Sequence, residues 1–243
     1  MFTLLDLPKI ADRTMEIKVI AFDADDTLWV NEPYFQDTET KFCQLMEDYL
    51  PTHAMAKELF KTEIDNLALY GYGIKGYILS MIEAAIRVSN GTLSAAHIEK
   101  ILDYGKEMLG KPIELIDNVE ETLKALHGKY KLVVATKGDL KDQHRKLHDS
   151  GLGHYFHHIE VMSDKQQVDY KKLVKRLEIE PEEFFMIGNS LKSDVLPVLE
   201  IGGHACHIPF HTTWAHEVIE HTIEHDNFRQ AERIAEILPL LLR

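Results

Sequence analysis

Cysteine is nearly absent: the 243 residues include two, Cys43 and Cys206, far apart and without metal-ligand spacing. This excludes a disulfide framework, suits a reducing compartment and gives neither thiol a case for catalysis. Long apolar runs are missing too, since no stretch approaches the ~18 residues of a membrane span. The opening segment MFTLLDLPKIADRTMEIK lacks the basic start and small-residue cleavage site of a secretory signal, so a cytoplasmic place and no membrane partner are expected. Positive charge is in deficit, 27 Lys and Arg against 40 Asp and Glu for a net charge of -13. That field opposes a nucleic acid polymer or an anionic lipid surface, whereas a small anion held by a local metal and lysine is compatible with it. No internal repeat or low-complexity tract is present, and nothing in the sequence speaks to oligomeric state.

The chain does contain enough apolar residues, 45%, for one sizeable core plus a subdomain. Five short apolar runs, at 17–22, 130–136, 159–163, 183–188 and 204–209, are separated by longer helical patterns. Near-continuous apolar strands alternating with helices predict an α/β fold, a Rossmann-like parallel sheet covered by helices on both faces. Between the first two strands, FCQLMEDYL, AKELFKTEIDNLALY, IKGYILSMIEAAIRV and AAHIEKILDYGKEML carry helical periodicity. No ordinary crossover needs that length. The division expected is a core of 1–29 and 113–243 with a helical cap domain of 30–112, entered near Pro33 and left at Gly110-Lys111-Pro112. Leu115 to Leu126 reads as one amphipathic helix ended by Gly128, and AERIAEILPLLLR as a C-terminal packing helix that Pro239 weakens.

Polar residues recur where each strand ends, which in an open parallel sheet is where ligands sit. Strand one runs into Asp23-Ala24-Asp25-Asp26-Thr27, strand two into Thr136-Lys137-Gly138-Asp139, strand three into Asp164-Lys165, and strand four into Gly188-Asn189-Ser190 with Asp194 beyond. Two carboxylates ~4 Å apart repel by about 4 kcal/mol at an effective dielectric of 20, so such a cluster needs a cation, a shared proton or solvent. A solvated turn is the alternative reading of the first cluster taken alone.

Four motifs in order at four strand ends resolve that choice. DADDT resembles the DxDxT motif of the haloacid dehalogenase-like hydrolase superfamily. Thr136 fits its second motif, Lys165 with Tyr170 its third, and GNSLKSD at 188–194 its fourth, usually GD-x-x-x-x-D. The resemblance covers nearly the whole chain after about residue 17. It implies a magnesium-dependent phosphomonoesterase acting on a small phosphorylated metabolite. Asp23 would be the nucleophile that forms an aspartyl-phosphate, and Asp25 the general acid and base. Thr136, with the Lys137 or Gly138 amide, would hold the phosphoryl oxygens, and Lys165 would keep Asp23 ionised. Mg2+ would take oxygens from Asp23, the Asp25 carbonyl, Asn189 and Asp194.

Asn189 stands where the family commonly has Asp, which lowers the charge offered to the cation, and Asp26 stands where it commonly has Gly. The inserted helices resemble the family's cap, and the loop Leu69–Tyr77 offers Lys75 as a substrate-reading residue. Trp29 and Tyr34, where the chain leaves for the insertion, are placed to line the mouth of the site, but core or hinge packing is the reading favoured for both. His204, His207, His211, His216, His221 and His225 match no closed zinc site. Two alternatives stay open, a phosphosugar mutase of the same fold and a non-catalytic phospho-ligand-binding domain. A dehalogenase needs no acid at position 25, so Asp25 argues for phosphoryl chemistry.

Overall fold

The computed structural model describes residues 16–242. Six parallel strands form one sheet in the order β3-β2-β1-β4-β5-β6: β1 (Val19–Phe22), β2 (Lys131–Lys137), β3 (His158–Met162), β4 (Phe184–Gly188), β5 (His204–His207) and β6 (Phe228–Gln230). Side chains alternate between two cores, as the period of a pleated strand requires. Ile20, Phe22, Leu132, Val134, Phe185 and Ile187 pack with Val119, Leu123 and Leu126 of α5 (Val119–Leu126) on one face. Val19, Ala21, Val133, Ala135, Phe184 and Met186 pack on the other with α7 (Gln167–Leu177) and α8 (Leu196–Glu200). Burial on both faces explains why these strands read as unbroken apolar runs. The fold is the Rossmann-like α/β arrangement that the sequence indicates.

Helices α1 (Glu32–Leu45), α2 (Thr52–Tyr70), α3 (Ile74–Val88) and α4 (Ala95–Leu109) lie between β1 and β2 in the chain and share a separate apolar cluster that includes Phe42, Met55, Leu59, Tyr77, Met81 and Ile101. Pro33 occupies the first turn of α1, where its missing N–H costs nothing.

Three differences from the sequence reading have local causes. The helix expected from Leu115 begins only at Val119, because Asn118 takes a left-handed φ of 64° and Ile116 instead donates its N–H to the Leu28 carbonyl. Pro239 splits the C-terminal segment into a 3-10 turn over Ile234–Ile237 and α9 (Leu238–Leu241). A sixth strand, β6, is added at the edge.

The chain order reverses at the centre of the sheet, where β1 lies between β2 and β4. That switch point brings the carboxyl ends of the three strands side by side and opens a crevice above them.

Candidate active site

A cavity of about 190 Å³ fills that crevice and extends beneath α1–α3. Asp23, Asp25, Thr136, Lys137, Gly138, Lys165, Asn189 and Asp194 all line it. Lys75 does not. Its ammonium pairs with Asp139 Oδ1 and its backbone N–H donates to Asp139 Oδ2, each at 3.1 Å. At the start of α3 the Asp139 carboxylate, on the loop after β2, is the nearest partner, and the lysine therefore ties α3 to the sheet. Close approach at this seam requires glycine: a Cβ on Gly73, whose φ is 111°, would stand 2.8 Å from the Asp139 nitrogen.

Asp23 and Lys165 form the centre. Lys165 is 2% exposed, and its ammonium donates to Asp23 Oδ1 and, at 2.6 Å, to Asp194 Oδ1. Burial works against the lysine's charge, and the two carboxylates outweigh it, holding the ammonium above its ordinary range. For Asp23, burial is the largest effect and pushes the carboxyl up; Lys165 opposes it and Asp194 adds to it. One lysine therefore faces two buried carboxylates, which leaves the centre short of positive charge. Asp194 Oδ2 also accepts the Ser190 N–H at 3.0 Å. Tyr170, fully buried, steadies the turn by donating to the Ser193 carbonyl at 3.0 Å.

These residues fit a hard divalent cation. The Thr27 hydroxyl lies 3.3 Å from both Asp23 Oδ2 and Asn189 Oδ1, and its single proton can serve only one of them. The Asp25 carbonyl accepts no hydrogen bond among the described residues. Oxygen lone pairs of this kind at one edge of the cavity are what magnesium takes. Both Asp194 oxygens already hold donors, so Asp194 stands behind Lys165 and the Ser190 turn while Asp23, Asp25 and Asn189 present the open oxygens. Among the described residues no three His, Cys, Asp or Glu side chains converge as metal ligands, and the set therefore depends on a carbonyl and an amide. Of the C-terminal histidines, His207 points Nε2 at the Asn189 carbonyl, 3.0 Å away, and the His216 ring lies tilted against Trp214, with centroids 4.9 Å apart.

Asp25 occupies a different environment. Its carboxylate accepts from Trp29 Nε1 at 2.7 Å, Gln143 Nε2 at 2.8 Å and Lys146 Nζ at 2.9 Å. Three donors from two elements fix the group at the cavity wall. Sequence reasoning did not find Gln143 and Lys146, which lie in α6 (Leu140–Asp149), and it favoured packing for Trp29 over a place at the mouth of the site. The available signal was the α6 stripe: Gln143, Lys146 and Leu147 recur at helical spacing, so a face carrying the lysine turns inward with the leucine.

Asp26 takes a left-handed φ of 62°, the conformation that favours glycine. Its buried carboxylate accepts the N–H groups of Asn31 at 2.8 Å and Glu32 at 2.9 Å, the first turn of α1. Burial pushes this carboxyl up to about 8, against those backbone bonds.

The rim holds a second group that the sequence did not reveal. Glu217 accepts from Lys137 Nζ at 2.6 Å, and from Ser190 and Ser193 at 2.5 and 2.6 Å. Burial opposes its charge, but Lys137 and both hydroxyls hold it down to about 2. The Lys137 ammonium also lies 4.1 Å from the Tyr72 ring centroid, and Tyr72 donates to Asp164 at 3.2 Å. Thr136 is 1% exposed, and its hydroxyl donates to the Lys137 carbonyl at 3.2 Å.

A parallel sheet, an acidic loop at its switch point and a helical insertion above it are features shared by a class of hydrolase. The sequence model of the haloacid dehalogenase-like hydrolases matches residues 17–202. A crystal structure of a haloacid dehalogenase-like family hydrolase from Xanthomonas campestris is 35% identical, with 95% of this chain and 92% of that one covered and a TM-score of 0.84. The chain belongs to this family of hydrolases. A putative hydrolase of the family from Bacillus subtilis, YfnB, bound to magnesium, is 20% identical over 94% of this chain and 100% of that one, with a TM-score of 0.62. A predicted phosphoglycolate phosphatase from Haemophilus somnus is 18% identical over 94% and 99%, with a TM-score of 0.60. At these identities the likeness is one of fold, which dehalogenase structures at 14% identity share. No curated protein matches the chain. Among the described residues no helix is long and apolar enough to cross a membrane.

Proposed function

We propose that the protein is a magnesium-dependent phosphomonoester hydrolase for a small phosphorylated metabolite, with a core of residues 1–29 and 113–243 and a cap domain of 30–112. The observation that carries the reading is Asp25. A second carboxylate, held at the cavity wall by Trp29, Gln143 and Lys146 and apart from the Lys165 centre, has no task in carbon–halogen cleavage. It has two in phosphate ester hydrolysis.

Asp23 attacks phosphorus while Asp25 gives its proton to the departing ester oxygen, leaving an aspartyl-phosphate and a free alcohol. Asp25 then takes a proton from water, whose oxygen attacks the same phosphorus; inorganic phosphate leaves and Asp23 is restored. Lys165 keeps Asp23 in its anionic, attacking form. Thr136 turns its hydroxyl from the Lys137 carbonyl to a phosphoryl oxygen, joined by the Gly138 N–H. Mg2+, held by Asp23, the Asp25 carbonyl and Asn189, would offset the charge of the phosphoryl oxygens. Residues of α1–α3 cover the cavity and limit water.

The test is phosphate release from an aryl phosphate and a metabolite panel, with and without Mg2+, by wild type, Asp23→Asn and Asp25→Ala. Turnover that needs the cation and both carboxylates is expected. Chloride release from a 2-haloacid, with no phosphate release from any ester, would reject the reading.

A further inference from the structure

The cavity wall contributed by α1–α3 differs from the sheet end. Glu32, Glu39 and Glu63 all line it, and no Lys, Arg or His pairs with any of them among the described residues. Every lysine lining the cavity is at the other end and engaged: Lys137 with Glu217, Lys146 with Asp25, Lys165 with Asp23 and Asp194. Gln36 gives Glu32 a neutral hydrogen bond, and other side-chain donors on this wall are used elsewhere. Asn66 donates to Ser80 and Glu83, Tyr70 to Glu83, and Tyr77 to the Phe35 carbonyl.

The unmatched capacity of the cavity is thus of one kind, hydrogen-bond acceptor and negative. An independent group agrees. Gln143, 2% exposed and in the same cavity wall, gives its amide hydrogens to Asp25 and the Lys137 carbonyl, while its buried Oε1 has no partner among the described residues. An acceptor left open beside Asp25 calls for a donor on a ligand. Burial, together with mutual repulsion, pushes Glu63 up to about 8 and Glu32 up to about 7, the behaviour of carboxylates gathered without a counterion.

A second metal ion is not the missing partner, since no three of these groups converge as ligands among the described residues. A larger, softer cation is the better match. Phe35 and Tyr77, with ring centroids 5.0 Å apart, line the wall beside the glutamates, and aromatic faces attract organic ammonium groups.

We infer that the substrate's leaving group carries a cationic nitrogen: the cavity takes a phosphomonoester of a small amino alcohol, phosphate at the sheet end and ammonium between Glu39, Glu63 and the Phe35–Tyr77 rings. This rests on the phosphatase reading for the reaction and adds the class of substrate. Glu39 and Glu63 are then specificity residues, which touch the leaving group and not the reacting atoms.

The experiment compares matched pairs. Rates of phosphate release from 3-aminopropyl phosphate and butyl phosphate, with Mg2+ at about pH 8 where a primary amine is still charged, should differ at least tenfold in kcat/KM in favour of the amine. In Glu39→Gln/Glu63→Gln the ratio of the two kcat/KM values should fall to near one. Calorimetric binding of 3-aminopropylphosphonate against butylphosphonate reads the same preference without turnover. Equal or reversed preference in both measurements overturns the inference, even with brisk aryl phosphatase activity. Tighter binding of the aminophosphonate by a protein that hydrolyses no ester would support the cation pocket and reject the reaction instead.

Discussion

A single added methyl group should disable the Lys165 centre. Gly188 ends β4 with its Cα facing Asp194, and a Cβ there would lie 2.1 Å from Oδ2, 2.3 Å from Cγ and 2.7 Å from Cβ of the aspartate. No rotamer shift of a few tenths of an ångström removes such an overlap, so in Gly188→Ala the carboxylate must swing away. It then gives up the Lys165 ammonium at 2.6 Å and the Ser190 N–H at 3.0 Å. Each charge-assisted bond is worth about 1.5–3 kcal/mol, and breaking a buried pair costs roughly 3–5 kcal/mol. Against a total stability on the order of 5–15 kcal/mol, a loss of about 3–5 kcal/mol should move the urea midpoint far to the left at unchanged slope. Gly153→Ala is the control, because its nearest neighbour would be 3.9 Å away; a change within about 0.5 kcal/mol is expected. The decisive comparison is a double-mutant cycle. With Asp194→Gly the whole side chain is gone, its Cβ included, so Gly188→Ala should add almost nothing in that background. Additive losses, or a Gly188→Ala protein within about 1 kcal/mol of wild type, would refute the packing argument.

Other outcomes follow from the same geometry. Lys146→Met or Gln143→Leu should lower kcat on an aryl phosphate by roughly 10²-fold with KM little changed, since Asp25 loses a donor that orients it; an unchanged kcat would remove these residues from the mechanism. Asn189→Asp adds a formal charge beside the Asp23 carboxylate and should tighten Mg2+ binding about tenfold in a calorimetric titration, whereas equal or weaker affinity would reject the charge argument. Glu217, held at about 2 against an ordinary 4.5, contributes stability that is complete above about pH 4.5 and lost as pH falls through 2. Glu217→Gln should therefore be less stable than wild type by roughly 3 kcal/mol at neutral pH, with the gap closing below pH 3; a gap independent of pH would contradict it.

What could be read from the sequence divides along physical lines. Strands β1, β2 and β4 are covered on both faces, so their residues had to be apolar and showed it. β6 could not show itself, being a three-residue edge strand, Phe-Arg-Gln, only partly buried. Asp23, Lys165 and Asn189 each follow a strand end and Thr136 is the penultimate residue of β2, so the four come together at positions that the chain order alone reveals. Gln143 and Lys146 escaped because α6, LKDQHRKLHD, looks like a solvated helix until its fold turns one polar face onto Asp25. Glu217 lies in the irregular segment after β5, where four of the six C-terminal histidines drew attention and no periodicity pointed to the carboxylate. Lys75 was a reasonable candidate by composition, but the neighbouring Asp139 was invisible to a reading that follows one segment at a time.

Asp26 joins two parts that could otherwise be treated as separate modules. It sits three residues from Asp23, and its carboxylate ends the first turn of α1 by accepting from Asn31 and Glu32. Anyone exchanging the helical insertion for one from a relative, to change which alcohol is accepted, would naturally cut between Trp29 and Val30. That cut would hand the loop's own carboxylate a foreign partner. The transferable unit begins after Glu32, and the ten residues from Asp23 to Glu32 have to travel, or stay, as one piece.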